Sequence, residues 1–141
     1  MRAVKTAILA LLAATFANAQ TTVPALRAEI PFVFEMRGAT LPAGDYRIDF
    51  SEDRSWFTIK SLEDSKESAI GVTFSVALHK QSPNEAKLVF NKYGDRYFLS
   101  QIWHPNIARQ LPKSKQEREL VTSRVVAQIP VRVVVAAKVM R

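Results

Sequence analysis

The 141-residue chain contains no cysteine. Disulfides and thiolate metal sites are therefore excluded, as is a lipid-modified cysteine behind any cleavage site. Histidine occurs only twice, as His79 and His104. A zinc site takes three or four converging ligands, and nothing in the spacing of these two asks for one, so neither metal nor cofactor is expected. No Gly-x-Ser-x-Gly elbow occurs, and Ser114 is better explained as a helix cap than as a nucleophile. Asp45 and Asp49 flank Arg47 on one side of an alternating run. That is the pattern of a solvated strand face more than of an acid/base pair. No catalytic residue is assigned.

The chain also lacks an apolar run long enough to span a bilayer, which needs roughly 20 residues. Its longest run near the start, Thr6 to Ala17, follows Arg2 and Lys5 and precedes Ala17-Asn18-Ala19. A basic start, an apolar centre and a small-x-small end predict a signal peptide over residues 1–19, with cleavage before Gln20 and export to the periplasm or medium. No transmembrane segment is expected after cleavage. Residues 20–27 read as a loose leader and 28–141 as one β-rich domain. A domain of about 120 residues buries roughly two-thirds of its unfolded surface, enough to fold without covalent staples. Signal removal takes away two positive charges and no negative ones, so the formal +7 becomes +5. Such a charge suits contact with an anionic envelope surface, and it equally serves solubility.

What is present is alternation. Ile30, Phe32, Phe34 and Met36 alternate with Glu29, Pro31, Val33 and Glu35, and period two assigns them to opposite faces of a strand. Pro31 has no amide to donate, so the strand is expected to lie at an edge or to pair on one side only there. After the Leu41-Pro42-Ala43-Gly44 turn, Tyr46, Ile48 and Phe50 alternate with Asp45, Arg47 and Asp49. Trp56 to Ser61 follows, with Phe57 and Ile59 on one side. Between Ala69 and Leu78, Ile70, Val72, Phe74, Val76 and Leu78 share one face. Gly71, Thr73, Ser75 and Ala77 share the other. That second face is small rather than charged, which suggests that another element covers it or approaches it closely.

The densest stretch is Lys87 to Leu120, with five of the thirteen aromatics. Gly94-Asp95 between two aromatic-rich runs predicts a hairpin with a type II′ turn. That register sets Phe90 opposite Leu99 and Lys92 opposite Tyr97; a bulged three-residue loop would shift it by one. Pro105 should end the second strand. Ser114-Lys115-Gln116-Glu117 matches a capping box and predicts a short helix near 115–124. Val131 to Val139 reads as a final strand, with a helix as the alternative. Tyr93, Arg96, Tyr97 and Trp103 are the candidate ligand platform, able to stack on a sugar ring or a base. The plainer reading is that they close the core beneath the hairpin. The RNP1 pattern is absent and export removes most nucleic-acid partners, so none is expected.

The pieces AEIPFVF, LPAGDYRI, KLVFNKYGDRYFLSQIW and QLPKSKQEREL together resemble a family of short exported bacterial proteins, abundant in soil bacteria and of unassigned function. The resemblance spans roughly Ala28 to Leu120. It implies export and a small β fold and transfers no active site. Seven strand candidates and one helix predict a mainly β domain, an antiparallel sandwich or a partly open barrel, with the sandwich slightly preferred. The expected function is a non-catalytic exported or envelope module that binds a protein, glycan or other ligand. The alternatives are a hydrolase on an envelope polymer and a lipocalin-like carrier of an apolar ligand.

Overall fold

The computed structural model describes residues 23–76, 85–105, 107–123 and 129–140. The expected signal peptide and His79 lie outside the described residues. The strands are β1 (Leu26–Ile30), β2 (Phe34–Met36), β3 (Ala39–Leu41), β4 (Gly44–Phe50), β5 (Trp56–Ser61), β6 (Ser68–Val72), β7 (Phe74–Ser75), β8 (Lys87–Tyr93), β9 (Arg96–His104), β10 (Ile107–Gln110) and β11 (Val131–Val139), with one helix, α1 (Lys115–Thr122), before the last. They form one sheet in the order β3-β2-β9-β8-β11-β1-β4-β5-β6. β7 continues β6 past Thr73 and pairs with β10, which pairs with β9. The sheet thus returns on itself in a nearly closed, barrel-like form, within the expected choice of a sandwich or a partly open barrel. Alternation along a strand is the same in both architectures. What separates them is the β7–β10 seam, a pairing of residues more than thirty apart in sequence that no local pattern announces. Among the described residues all pairings are antiparallel except β2 with β9, which is parallel at Glu35 and Phe98.

The barrel is filled by its own side chains. Leu26 and Ile30 from β1, Tyr46 and Ile48 from β4, Phe57 and Ile59 from β5, Leu88 and Phe90 from β8 and Ile102 from β9 are all fully buried. Burial of each such side chain stabilises the fold by about 1.5–3 kcal/mol. The final strand sets Val133, Val135, Ala137 and Val139 against this core, so 131–139 is a strand and not a helix.

Two expected strands are each divided. The first begins at Leu26, inside the stretch read as a leader, and stops at Ile30. Leu26 and Ala28 continue the inward alternation of Ile30, but two residues are too short a run to show a period by themselves. Pro31 does not lie in an edge strand. β1 is central, between β11 and β4, and ends before the proline removes its donor. The chain then crosses to β9 as β2. A two-residue turn with positive φ at Arg37 (48°) and Gly38 (82°) leads into β3, the signature of a type I′ hairpin. The second division falls at Thr73, between β6 and β7. Here Gly71 and Thr73 of the small face are turned inward, while Ser75 is exposed. A β-carbon on Gly71 would lie 2.5 Å from the Phe57 ring, so the ring occupies the space a side chain would take.

The central hairpin has the expected register, Phe90 opposite Leu99 and Lys92 opposite Tyr97. Gly94 has φ of 59° and Asp95 does not share the positive sign, as a type II′ turn requires. A bulge follows: Val89 pairs with Gln101, leaving Ser100 unopposed. The Ser100 carbonyl instead accepts from the Leu111 amide at 2.8 Å. Ser114 caps α1, its Oγ accepting from the Glu117 amide at 3.2 Å. Glu117 does not reach back to complete a capping box. Its side chain is buried, and its Oε1 accepts from Asn91 Nδ2 at 2.9 Å and Tyr93 Oη at 3.0 Å. The helix is thereby fixed on the outer face of the hairpin.

Candidate binding face

With the small residues of β6 turned inward, its large apolar ones turn out. Ile70 is 63% exposed, Phe74 49% and Val72 43%. On the neighbouring strand Trp56 lies opposite Val72 and is 46% exposed. Period two makes this unavoidable: Phe57 and Ile59 occupy the inner face of β5, so Trp56 must take the outer. The four side chains form an apolar stripe along the outside of β5, β6 and β7. β6 ends the main path of the sheet.

Val72 also borders an opening of about 370 Å³ lined by Arg37, Pro112, Lys113, Ser114, Lys115, Gln116 and Arg118. Four of these are cations. Lys115 makes a loose 4.0 Å pair with Glu119. Arg37, Lys113 and Arg118 have no carboxylate partner among the described residues. The basic rim comes together because the β2–β3 turn packs against the start of α1, where Gln116 approaches Gly38.

Of the hairpin residues Tyr93, Arg96, Tyr97 and Trp103, Tyr93 and Arg96 are cross-strand partners, whereas Tyr97 and Trp103 lie apart from them. Tyr93 is buried under α1. Tyr97 is on the inner side of β9, stacked on Phe32 with ring centroids 3.9 Å apart. Arg96 forms a two-pronged pair with Glu35 at 2.6 and 2.8 Å and lies over Phe98. Trp103 is half-buried at the opposite end of the hairpin, its Nε1 donating to Gln101 Oε1 at 3.0 Å and Lys87 lying over its ring.

The perturbed ionisable groups are also dispersed. Hydrogen bonds from Arg27 hold the Asp45 carboxyl below its ordinary range. Ser51 and Ser55 lower Asp53 to about 2. Burial raises Tyr46 to about 12, with Glu67 and Glu63 adding to it. Burial raises Tyr93 to about 12 as well, with the hydrogen bond to Glu117 adding to it. Asp49 is paired with Arg47, so Asp45 and Asp49 serve two different arginines. No group of three or more potential metal ligands occurs among the described residues, and none of their helices is long and apolar enough to cross a membrane.

The stripe was present in the sequence as the alternation of 69–78, and the face it would take could have been read from Gly71. A glycine among small residues marks the side that something approaches closely. No family model, curated protein or solved structure matches the chain.

Proposed function

We propose that the protein is a non-catalytic exported or envelope module that binds its partner through the outward stripe of Trp56, Ile70, Val72 and Phe74. The observation that carries this reading is the exposure of four large apolar side chains on adjoining strands. Contiguous exposed apolar surface generally marks an interaction site. Two further points support it. A carrier needs an apolar cavity of roughly 300 Å³ or more, whereas Leu26, Ile48, Phe57 and Phe90 fill the barrel. A hydrolase needs converging polar groups with shifted pKa values. Here Asp45, Asp53, Tyr46 and Tyr93 each answer to a separate partner.

The test is cell fractionation of the host with Ile70→Ser/Phe74→Ser. Both side chains face solvent, so the melt should move little, within about 0.5 kcal/mol, while retention in the envelope fraction should fall. Unchanged retention of a folded variant would remove the reading. Export itself is checked by mass spectrometry, where a mature chain starting at Gln20 is expected and an intact Met1 on cytoplasmic protein counts against it.

A further inference from the structure

The apolar stripe and the basic opening are continuous. Val72 belongs to both: it is the Cα partner of Trp56 within the stripe and it lines the opening with Arg37, Lys113, Lys115 and Arg118. At the other end of the same outer face, Lys60 is exposed on β5 opposite Ser68. Beside Lys60 the β5–β6 turn carries Glu63, Asp64 and Glu67, so the excess of cations gathers at the Val72 end of the apolar row. Asp49, the carboxylate on the neighbouring stretch of β4, is occupied by Arg47.

From this juxtaposition we infer that the stripe docks on the surface of an anionic lipid bilayer, with Trp56, Ile70 and Phe74 at the boundary of headgroups and acyl chains and Arg37, Lys113, Lys115 and Arg118 on the phosphates. The inference rests on the proposed binding role of the stripe and names its partner. Charge complementarity selects the partner. A polyanionic polymer would engage the cations and leave Ile70 and Phe74 in water. A neutral apolar partner would leave three cations without counter-charge. An anionic bilayer satisfies both halves, since surface binding grows with buried apolar area and with attraction to anionic headgroups. Indole rings are favoured at that depth because one end is apolar and the other a hydrogen-bond donor. A cation near such a surface contributes about a fivefold gain in affinity, and the contribution is screened by salt.

The experiment uses protein recovered from expressing cells, its N-terminus established by mass spectrometry. It is mixed with vesicles of pure phosphatidylcholine or of equal parts phosphatidylcholine and phosphatidylglycerol, and bound protein is measured by sedimentation. Binding to the anionic vesicles alone is expected, declining as salt is added. In a Trp103→Phe background, where Trp56 is the remaining tryptophan, emission should shift to the blue on binding. Lys113→Gln/Arg118→Gln should weaken vesicle binding by about twenty-five-fold with the melt unchanged. Ile70→Ser/Phe74→Ser should abolish the blue shift. Equal binding to both vesicle types, or indifference to the double charge variant, overturns the inference. If Ile70→Ser/Phe74→Ser instead converts a dimer to a monomer without changing vesicle binding, a second copy occupies the stripe. The bilayer assignment then fails while the stripe remains a binding face. If that variant alters vesicle binding, self-association and envelope retention in no way, both the inference and the reading beneath it fall.

Discussion

Glu117 does two things with its two ends. Its amide completes the Ser114 cap, and its buried carboxylate is the acceptor for Asn91 and Tyr93. Removing an acceptor leaves buried donors unsatisfied, which costs about 1–3 kcal/mol. Glu117→Ala should therefore lower the urea midpoint by that order. Glu117→Gln keeps a carbonyl oxygen in place and should cost distinctly less. Equal losses for the two would mean that the helix is held by something other than these bonds. Tyr93 and Tyr46 also make a pH prediction. Both phenols are raised in the folded state from 10.0 to about 12, so the folded protein holds protons that the unfolded chain releases near pH 10. The stabilisation linked to these two groups is complete below pH 10 and is lost as pH climbs towards 12. Denaturant midpoints should fall across that window. In ultraviolet titration, the phenolate signal of the folded protein should lag that of the protein in urea. Coincident curves would show that neither phenol is shielded.

At the scale of the element, the central hairpin was legible because each local signal agreed. Period two ran through both strands, and Gly94-Asp95 is a combination that a type II′ turn accepts. A β-carbon at Gly94 would meet nothing within 4 Å, so Gly94→Val tests the backbone angle alone. A β-branched residue forced to that positive φ should cost about 1–3 kcal/mol, read as a lower thermal midpoint with the fold retained. A variant as stable as the parent would remove the turn assignment. The Ser114 cap was legible for a similar reason, since its spacing is local. Other elements were not. β3 and β10 have three and four residues and carry no periodic apolar set. They form because β2 and β9 offer them an edge to pair with. The side chains of Tyr93 and Tyr97 lie on opposite faces of the hairpin, and spacing alone does not say which face is covered. Which face is covered was decided by α1 on one side and Phe32 on the other. The alternation of 69–78 separates two faces, and Gly71, by admitting the Phe57 ring, makes the small one the inner face at that point.

At the scale of the molecule, the barrel depends on a short seam. Among the described residues β7 and β10 share the pairs Arg109–Ser75 and Gln110–Phe74, extended by the Val76 amide donating to the Ala108 carbonyl at 3.3 Å. Two ladder pairs are a weak closure, and Arg109 reinforces them. Its Nε donates to Thr73 Oγ1 at 3.1 Å, one terminal nitrogen to Ser75 Oγ at 2.6 Å and the other to the Thr73 carbonyl at 3.0 Å. Thr73 is itself anchored to the β4–β5 loop, its amide donating to the Ser55 carbonyl and its hydroxyl to the Arg54 carbonyl. One guanidinium therefore links β10 to the strand pair on the far side of the seam, using its planar fork where a lysine would offer a single point of attachment. The consequence is local. β8, β9, β11, β1 and β4 are joined by longer ladders that do not pass through Arg109. Opening of a barrel at its weakest seam should be a sub-global event with its own free energy. Hydrogen bonds to a charged group contribute about 1.5–3 kcal/mol each, and 1.4 kcal/mol is a factor of ten in an equilibrium. In Arg109→Ala, amide exchange should quicken by about tenfold or more at 73–76 and 107–111. Protection at Leu88–Tyr93 and Val131–Val139 should stay as in the parent. Arg109→Lys should fall between the two. If exchange rises everywhere by the same factor, the barrel opens as a whole and the seam is not its weak point; if it rises nowhere, the guanidinium is dispensable to closure.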